Sequence, residues 1–184
     1  MSEDLCMTRI PLLKDGEIAP GPVLEAVHAR RKGQLLALDR LLLHSRPVAE
    51  GWNFMMGKVR SDLALDPMLR ELAICAVAVH NQAPYELLHH APLYLEYGGA
   101  QAQLDALRAD PLTAETSPLF DAAQRAVLRM TRESTCDVRI GEATFAEVKR
   151  VLGEDRLVFE LLVTVASYNM VSRVLVGAGL HEES

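Results

Sequence analysis

Three features of the chain predict an all-α fold. Apolar residues recur at the three- and four-residue spacing of one helix face. Pro, Gly and Asp breaks separate these stretches, and no segment alternates apolar with polar residues as a half-buried strand does. With 184 residues, 49% of them hydrophobic and 24% charged, the chain can bury a sizeable core as one domain. A bundle of seven or eight helices is expected.

Taken in order, residues 1–20 read as an irregular arm punctuated by Pro11, Gly16 and Pro20, ahead of a single helical domain over 21–184. Leu24 to Leu43 is helical in pattern with a break near Gly33, since Leu35, Leu38, Leu41 and Leu42 recur at helical spacing. Pro47 suits a first helical position, and Val48 to Val59 carries Trp52, Met55, Met56 and Val59, a cluster that reads as core. The clearest start is Asp66 as cap with Pro67 behind it, opening a helix to about Asn81. Leu72 to Val79 is apolar throughout, which marks a buried central helix; a buried strand competes for eight such residues, but the cap and the length favour helix. Pro84 opens the next helix, which Gly98-Gly99 ends. Ala100 to Arg108 is a short helix, and 109–116 a loop. Ser117-Pro118 caps a helix to about Arg132, Gly141 to Leu152 is amphipathic, and Asp155 to Val176 is strongly apolar until Gly177 and Gly179 stop it.

The charge balance is acidic, net −6 with His neutral, and aromatics are 5%. A phosphate-backbone binder needs a basic surface, and a base-stacking platform needs aromatics, so nucleic acid is not an expected partner. The stretches of unbroken apolar sequence fall short of a membrane span, and residues 1–16 hold no apolar signal core. Cys6, Cys75 and Cys136 lie far apart in no paired spacing, which fits a reducing cytoplasm and no disulfide framework.

The residues that could carry chemistry concentrate between Glu71 and His90. Glu71 shares a mostly apolar stripe with Cys75, Ala78 and Gln82, so it points inward, where burial raises a carboxyl pKa unless a partner offsets it. Glu86 and His90 lie four apart on one face that continues through Leu93 and Tyr97. An inward Glu/His pair can move protons to and from a bound molecule, the carboxylate holding the imidazole tautomer. The same spacing also fits an ordinary surface pair, and Glu71 lies early enough in its helix for a dipole role. Glu25-x-x-His28 and Glu86-x-x-His89 match the pattern of di-metal carboxylate bundles, with Glu50, Glu71 or Glu160 as further acids, but in a poorly fitting order. No metal site is expected on balance. Cys75, inside the apolar run, reads as inert packing. His80 suits the carbonyls at a helix end. Tyr168-Asn169 is unusual in an apolar helix and needs partners, at a pocket or a subunit contact. Arg30-Arg31-Lys32 reads as a solvated face.

Leu69 to Val79, then Tyr85-Glu-Leu-Leu-His-His90, resembles the carboxymuconolactone decarboxylase family, which includes the alkylhydroperoxidase D-like proteins. Leu157 to Leu175, with Tyr168-Asn169-Met170, is similar to that family's closing helix, and the resemblance covers about Val48 to Leu180. It implies an alkylhydroperoxidase D-like helical bundle that assembles as a homo-oligomer. In the alkylhydroperoxidase D branch the motif is Glu-x11-Cys-x2-Cys-x3-His. Laid on this chain, its Glu falls on Glu71 and its His on His90, while the two Cys positions are Ala83 and Glu86, and a His between them is Tyr85. A dithiol peroxidase needs an attacking thiolate and a resolving thiol, and neither is present at those positions. The Tyr-Glu-x-x-x-His form looks more like the decarboxylase branch, which implies cofactor-free acid/base chemistry on a small organic acid or lactone. In that reading His90 is the general acid/base, Glu86 orients it, Glu71 is a second relay acid and Tyr85 adds a hydroxyl. A peroxidase-related protein without the dithiol and a non-catalytic protein that keeps the fold are the other readings.

Overall fold

The computed structural model describes residues 8–181. Among them the regular structure is entirely helical: α1 (Pro22–Arg30), α2 (Ala37–Leu42), α3 (Arg46–Ser61), α4 (Pro67–His80), α5 (Pro84–Glu96), α6 (Gln101–Ala109), α7 (Pro111–Ala114), α8 (Ala122–Arg132), α9 (Glu142–Leu152) and α10 (Asp155–Ala178). The expected count is exceeded because the break near Gly33 separates two full helices and because the 109–116 loop contains α7, capped by Asp110 Oδ1 on the amides of Leu112 and Thr113. α8 also departs from the expected start. It starts at Ala122, and its cap is Asp121 rather than Ser117-Pro118: Asp121 Oδ1 accepts from Gln124 N at 2.8 Å. Gly177 lies inside α10, and Gly179, at φ +74°, follows its end.

Residues 64–174 form one compact unit; the described residues before 64 and after 174 form a second. In the second unit the arm is irregular apart from a single turn at Asp15–Glu17, and it is tied down by main-chain bonds. Arg9 N donates to Ala178 O at 2.7 Å, and Arg40 Nη1 donates to Leu13 O at 2.9 Å. Trp52 and Met56 are buried as expected, whereas Met55 is exposed. Cys6 lies outside the described residues.

The first unit is built around α4. Asp66 Oδ1 accepts from Leu69 N at 3.1 Å, Pro67 occupies the first helical position, and every residue from Leu72 to Val77 is fully buried. α5 and α8 pack against it. A core of Leu72, Cys75, Ala76, Ala91, Tyr94 and Phe120 fills the space between. The reversal from α4 to α5 takes three residues: Gln82 sits at φ +52°, and Ala83 N bonds back to Ala78 O at 2.9 Å, a left-handed helix stop of the Schellman kind. This short reversal brings the start of α5 back beside the second half of α4.

α10 is long and apolar enough to cross a membrane by length and composition, which the sequence reading did not allow for. Its polar residues, however, are spent inside the unit. Glu160 accepts from Leu65 N at 2.8 Å and from Arg156 Nε at 2.8 Å, and Asn169 Nδ2 donates to Thr135 Oγ1 at 2.9 Å. An apolar helix whose buried polar groups are paired within the unit is what a protein core requires.

Close packing is most demanding at Gly99. Tyr94 is fully buried, its hydroxyl donates to Gln103 Oε1 at 2.6 Å, and Gln103 Nε2 donates in turn to Leu119 O and Gln124 Oε1. A Cβ at residue 99 would overlap Cε1 and Cζ of that ring, which the hydrogen-bond chain holds in place. Gly99→Ala is therefore expected to destabilise the protein by about 1–3 kcal/mol, a drop of several degrees in Tm. A thermal melt with an unchanged midpoint would show that the ring can yield.

Candidate active site

Glu71, in the second turn of α4, is almost fully buried, as are Glu86 and His90 on α5. The surface-pair reading of Glu86 and His90 is thereby excluded. The reversal at Gln82 sets the α5 face carrying His90 against the α4 face carrying Glu71. His90 Nδ1 and Glu71 Oε2 lie 2.6 Å apart. Glu71 Oε1 accepts from Arg70 Nε at 3.2 Å and from Arg70 Nη2 at 3.1 Å. A glutamate already accepting guanidinium bonds acts as an acceptor at its other oxygen, so Nδ1 donates and the ring is fixed with Nε2 turned away from Glu71. The carboxylate that orients His90 is therefore Glu71, from the neighbouring helix, a role expected for Glu86.

Glu86 has a different environment. Its Oε2 accepts from Ser172 Oγ of α10 at 3.0 Å, and its Oε1 is buried with no hydrogen-bond partner among the described residues. Burial pushes the carboxyl well above the ordinary glutamate range, and the Ser172 bond offsets this only in part. Glu86 is the neutral acid of the pair of carboxyls, and Glu71, with its guanidinium partner, is the charged one.

One aromatic neighbour packs on His90. The Tyr168 ring stands edge-on to the His90 ring, with centroids 4.9 Å apart and an interplanar angle of 86°. This gives the first member of the unusual Tyr168-Asn169 pair a place at the site. Asn169 lies outside it, accepting from Asn81 Nδ2 at 3.0 Å and from Arg173 Nη1 at 2.8 Å. Tyr85 is buried, and its ring tilts against His89 at 4.5 Å, on the neighbouring face of α5. Arg70 is spent on Glu71 and lies 5.8 Å over the Tyr97 ring. Ser172 and the pairing role of Arg70 were missed in the sequence. Ser172 falls four residues after Tyr168, a helical repeat that places both on one face.

The thiols do not join this site as nucleophiles. Cys75 is fully buried, and desolvation, followed by the negative charge of Glu71, pushes its pKa far up. Cys136 is exposed, 3.9 Å from His80 Nδ1, and its pKa is also raised, by burial and by Asp137. Among the described residues no group of three or more His, Cys, Asp or Glu side chains has the arrangement to hold a metal ion. A hollow of about 460 Å³ between the arm and α1–α2 is lined by Leu13, Ile18, Leu24 and Arg46 and involves none of the residues of the candidate site.

No protein-family model matches the sequence, and no curated protein does. Solved structures match at the level of fold. One is an uncharacterized peroxidase-related protein from Silicibacter sp. TM1040, 18% identical, covering 95% of this chain and 92% of its own, with a TM-score of 0.75. Another, described as an alkylhydroperoxidase AhpD core and an uncharacterized peroxidase-related protein, is from Ralstonia eutropha JMP134. It is 17% identical, covers 97% of this chain and 93% of its own, and has a TM-score of 0.78. The chain thus has the fold of the alkylhydroperoxidase D core.

The raised pKa of Glu86 has a measurable consequence. Above about pH 4.3, where an unfolded glutamate ionises, the native carboxyl still holds its proton. The native state then binds more protons than the unfolded chain, so this group makes stability fall as pH rises until the native carboxyl itself ionises. Glu86→Gln is expected to remove that slope: relative to wild type, the variant gains stability between pH 5 and pH 8 and gains none at pH 4. Urea titrations across this range test it, and parallel pH profiles for the two proteins would refute it.

Proposed function

We propose that this chain is a peroxidase-related protein of the AhpD-like type whose site works by proton transfer on a small organic molecule and not by dithiol chemistry. The observation that carries this reading is the buried 2.6 Å bond from His90 Nδ1 to Glu71, set beside a neutral Glu86 whose Oε1 has no hydrogen-bond partner among the described residues. Glu71 fixes the tautomer, His90 Nε2 carries a proton to or from the bound molecule, and Glu86 donates the second one. Ala83 and Glu86 stand where the dithiol motif has cysteines, and Cys75 is held as a thiol, so peroxide reduction through a thiolate lacks both of its sulfurs. The fold shared with peroxidase-related proteins supports the class, and the residues support the departure from its redox chemistry.

A second reading is a decarboxylase-like lyase acting on a lactone or a related acid. It is favoured by Glu86 alone: loss of CO2 leaves a carbanion that must be protonated, and a neutral buried carboxyl is a donor for that step.

The test is a turnover screen of small lactones and keto acids, run beside an organic hydroperoxide with a dithiol reductant. Turnover of a member of the first group is expected, with His90→Gln and Glu86→Gln each lowering kcat by about 10²–10⁴-fold. Cys75→Ala is expected to leave it unchanged. Dithiol-dependent hydroperoxide turnover that disappears in Cys75→Ala would overturn the proposal.

A further inference from the structure

The basic run Arg30-Arg31-Lys32 is not the solvated face its composition suggests. Arg30 closes α1, Arg31 follows it, and both turn onto Asp39 of α2, which is almost completely buried. Arg30 Nη2 donates to Asp39 Oδ1 at 2.9 Å, and Arg31 Nε donates to Oδ2 at 2.9 Å. The Leu36 amide adds a third bond to Oδ2 at 3.0 Å. Arg30 Nε also donates to Asn53 Oδ1 of α3 at 2.5 Å. Arg60 lies seven residues further along α3, two turns on and on the same face as Asn53. Its Nη2 is a buried atom with no hydrogen-bond partner among the described residues.

Arg30 and Arg31 thus share one carboxylate, and Arg60 brings a third positive charge near Arg30 with no ion pair of its own among the described residues. The acid next to Arg60 in sequence, Asp62, is engaged by Lys58 Nζ at 2.6 Å. Burial, and then the charges of Arg31 and Arg60, pull the Arg30 guanidinium below its ordinary value, so the crowding is felt where the charges meet. A buried guanidinium N–H without a partner is costly, and arginine forks are the side chains best shaped for oxyanions. The Arg30 and Arg31 side chains keep 20% and 24% of their surface exposed, so the cluster is open to solvent on that side.

We propose that Arg30, Arg31 and Arg60 form an anion site for a phosphoryl group, separate from the Glu71–His90 site. A phosphate carries about two negative charges near neutral pH and offers three acceptor oxygens, which matches both the charge surplus and the unpaired donor. The source is inorganic phosphate or a phosphomonoester; both present the same group to the three arginines.

The experiment is a titration of the full chain with inorganic phosphate, and separately with glycerol 3-phosphate, by calorimetry and by thermal shift, against chloride at matched ionic strength. Saturable binding that raises Tm is expected in the wild type, weakened about tenfold or more in Arg60→Gln and Arg31→Gln. Lys149→Gln, which removes a surface charge elsewhere, is expected to leave binding unchanged. Tighter binding of the monoester identifies a phosphorylated metabolite as the ligand, and equal or weaker binding identifies free phosphate; either upholds the site. Should Arg60→Gln fail to fold, the more exposed Arg31→Gln decides. Phosphate indistinguishable from chloride, or full affinity retained in the folded arginine variants, would overturn the proposal.

Discussion

The arrangement of the candidate site depends on one buried charge, the carboxylate of Glu71. A carboxylate placed in the most apolar helix of the chain is costly unless it is paired and hydrogen-bonded, and here both oxygens are engaged. Oε1 is held by Arg70, and Oε2 takes the imidazole N–H of His90. Arg70 is buried too, so the two adjacent residues enter the core as a compensated pair, and the second carboxylate oxygen is left to act on α5. A histidine held in this way has its Nδ1 committed to the carboxylate and its tautomer fixed. Replacing Glu71 with an apolar residue would strand Arg70 and release His90 together.

The fold was largely legible in the sequence because its strongest signals are local. Asp66 followed by Pro67 marks a helix start that needs no tertiary information, and eight successive apolar residues mark the centre of the bundle. The start of α8 was misplaced because Ser117-Pro118 and Asp121 are competing local signals four residues apart. The winner is set by Gln124, which accepts from the Asp121 amide as Asp121 accepts from its own, and which is also bonded to Gln103 of α6. That Glu71, Glu86 and His90 are buried was legible; how they pair was not. The inward stripe of α4 and the four-residue spacing on α5 identify Glu71, Glu86 and His90. That His90 reaches across to Glu71 depends on the rotation of α5 about its axis, which the turn at Gln82 sets. Arg70 hid from the pattern because a charged residue beside a buried acid reads as surface until its partner is known. The basic run at Arg30 was misread for the same reason, since its partner Asp39 lies beyond a turn and on another helix.

The two acids of the site take opposite protonation states for a physical reason that also bears on the cysteine. Glu71 has a guanidinium beside it, whereas Glu86 has a serine hydroxyl, and a hydroxyl does not repay the desolvation of a charge. Glu86 therefore keeps its proton and can act as a donor at a pH where a solvated glutamate cannot. The same surroundings are hostile to a thiolate: Cys75 is buried in the same core, and the negative charge of Glu71 adds to the desolvation that opposes its ionisation. Carboxylic-acid chemistry and thiolate chemistry thus compete for one electrostatic environment. A thiolate requires positive potential and access to solvent, whereas a neutral acid requires burial without a cation. With glutamate at the position a motif cysteine would occupy, and the remaining core cysteine shielded from solvent, the environment is built for the acid.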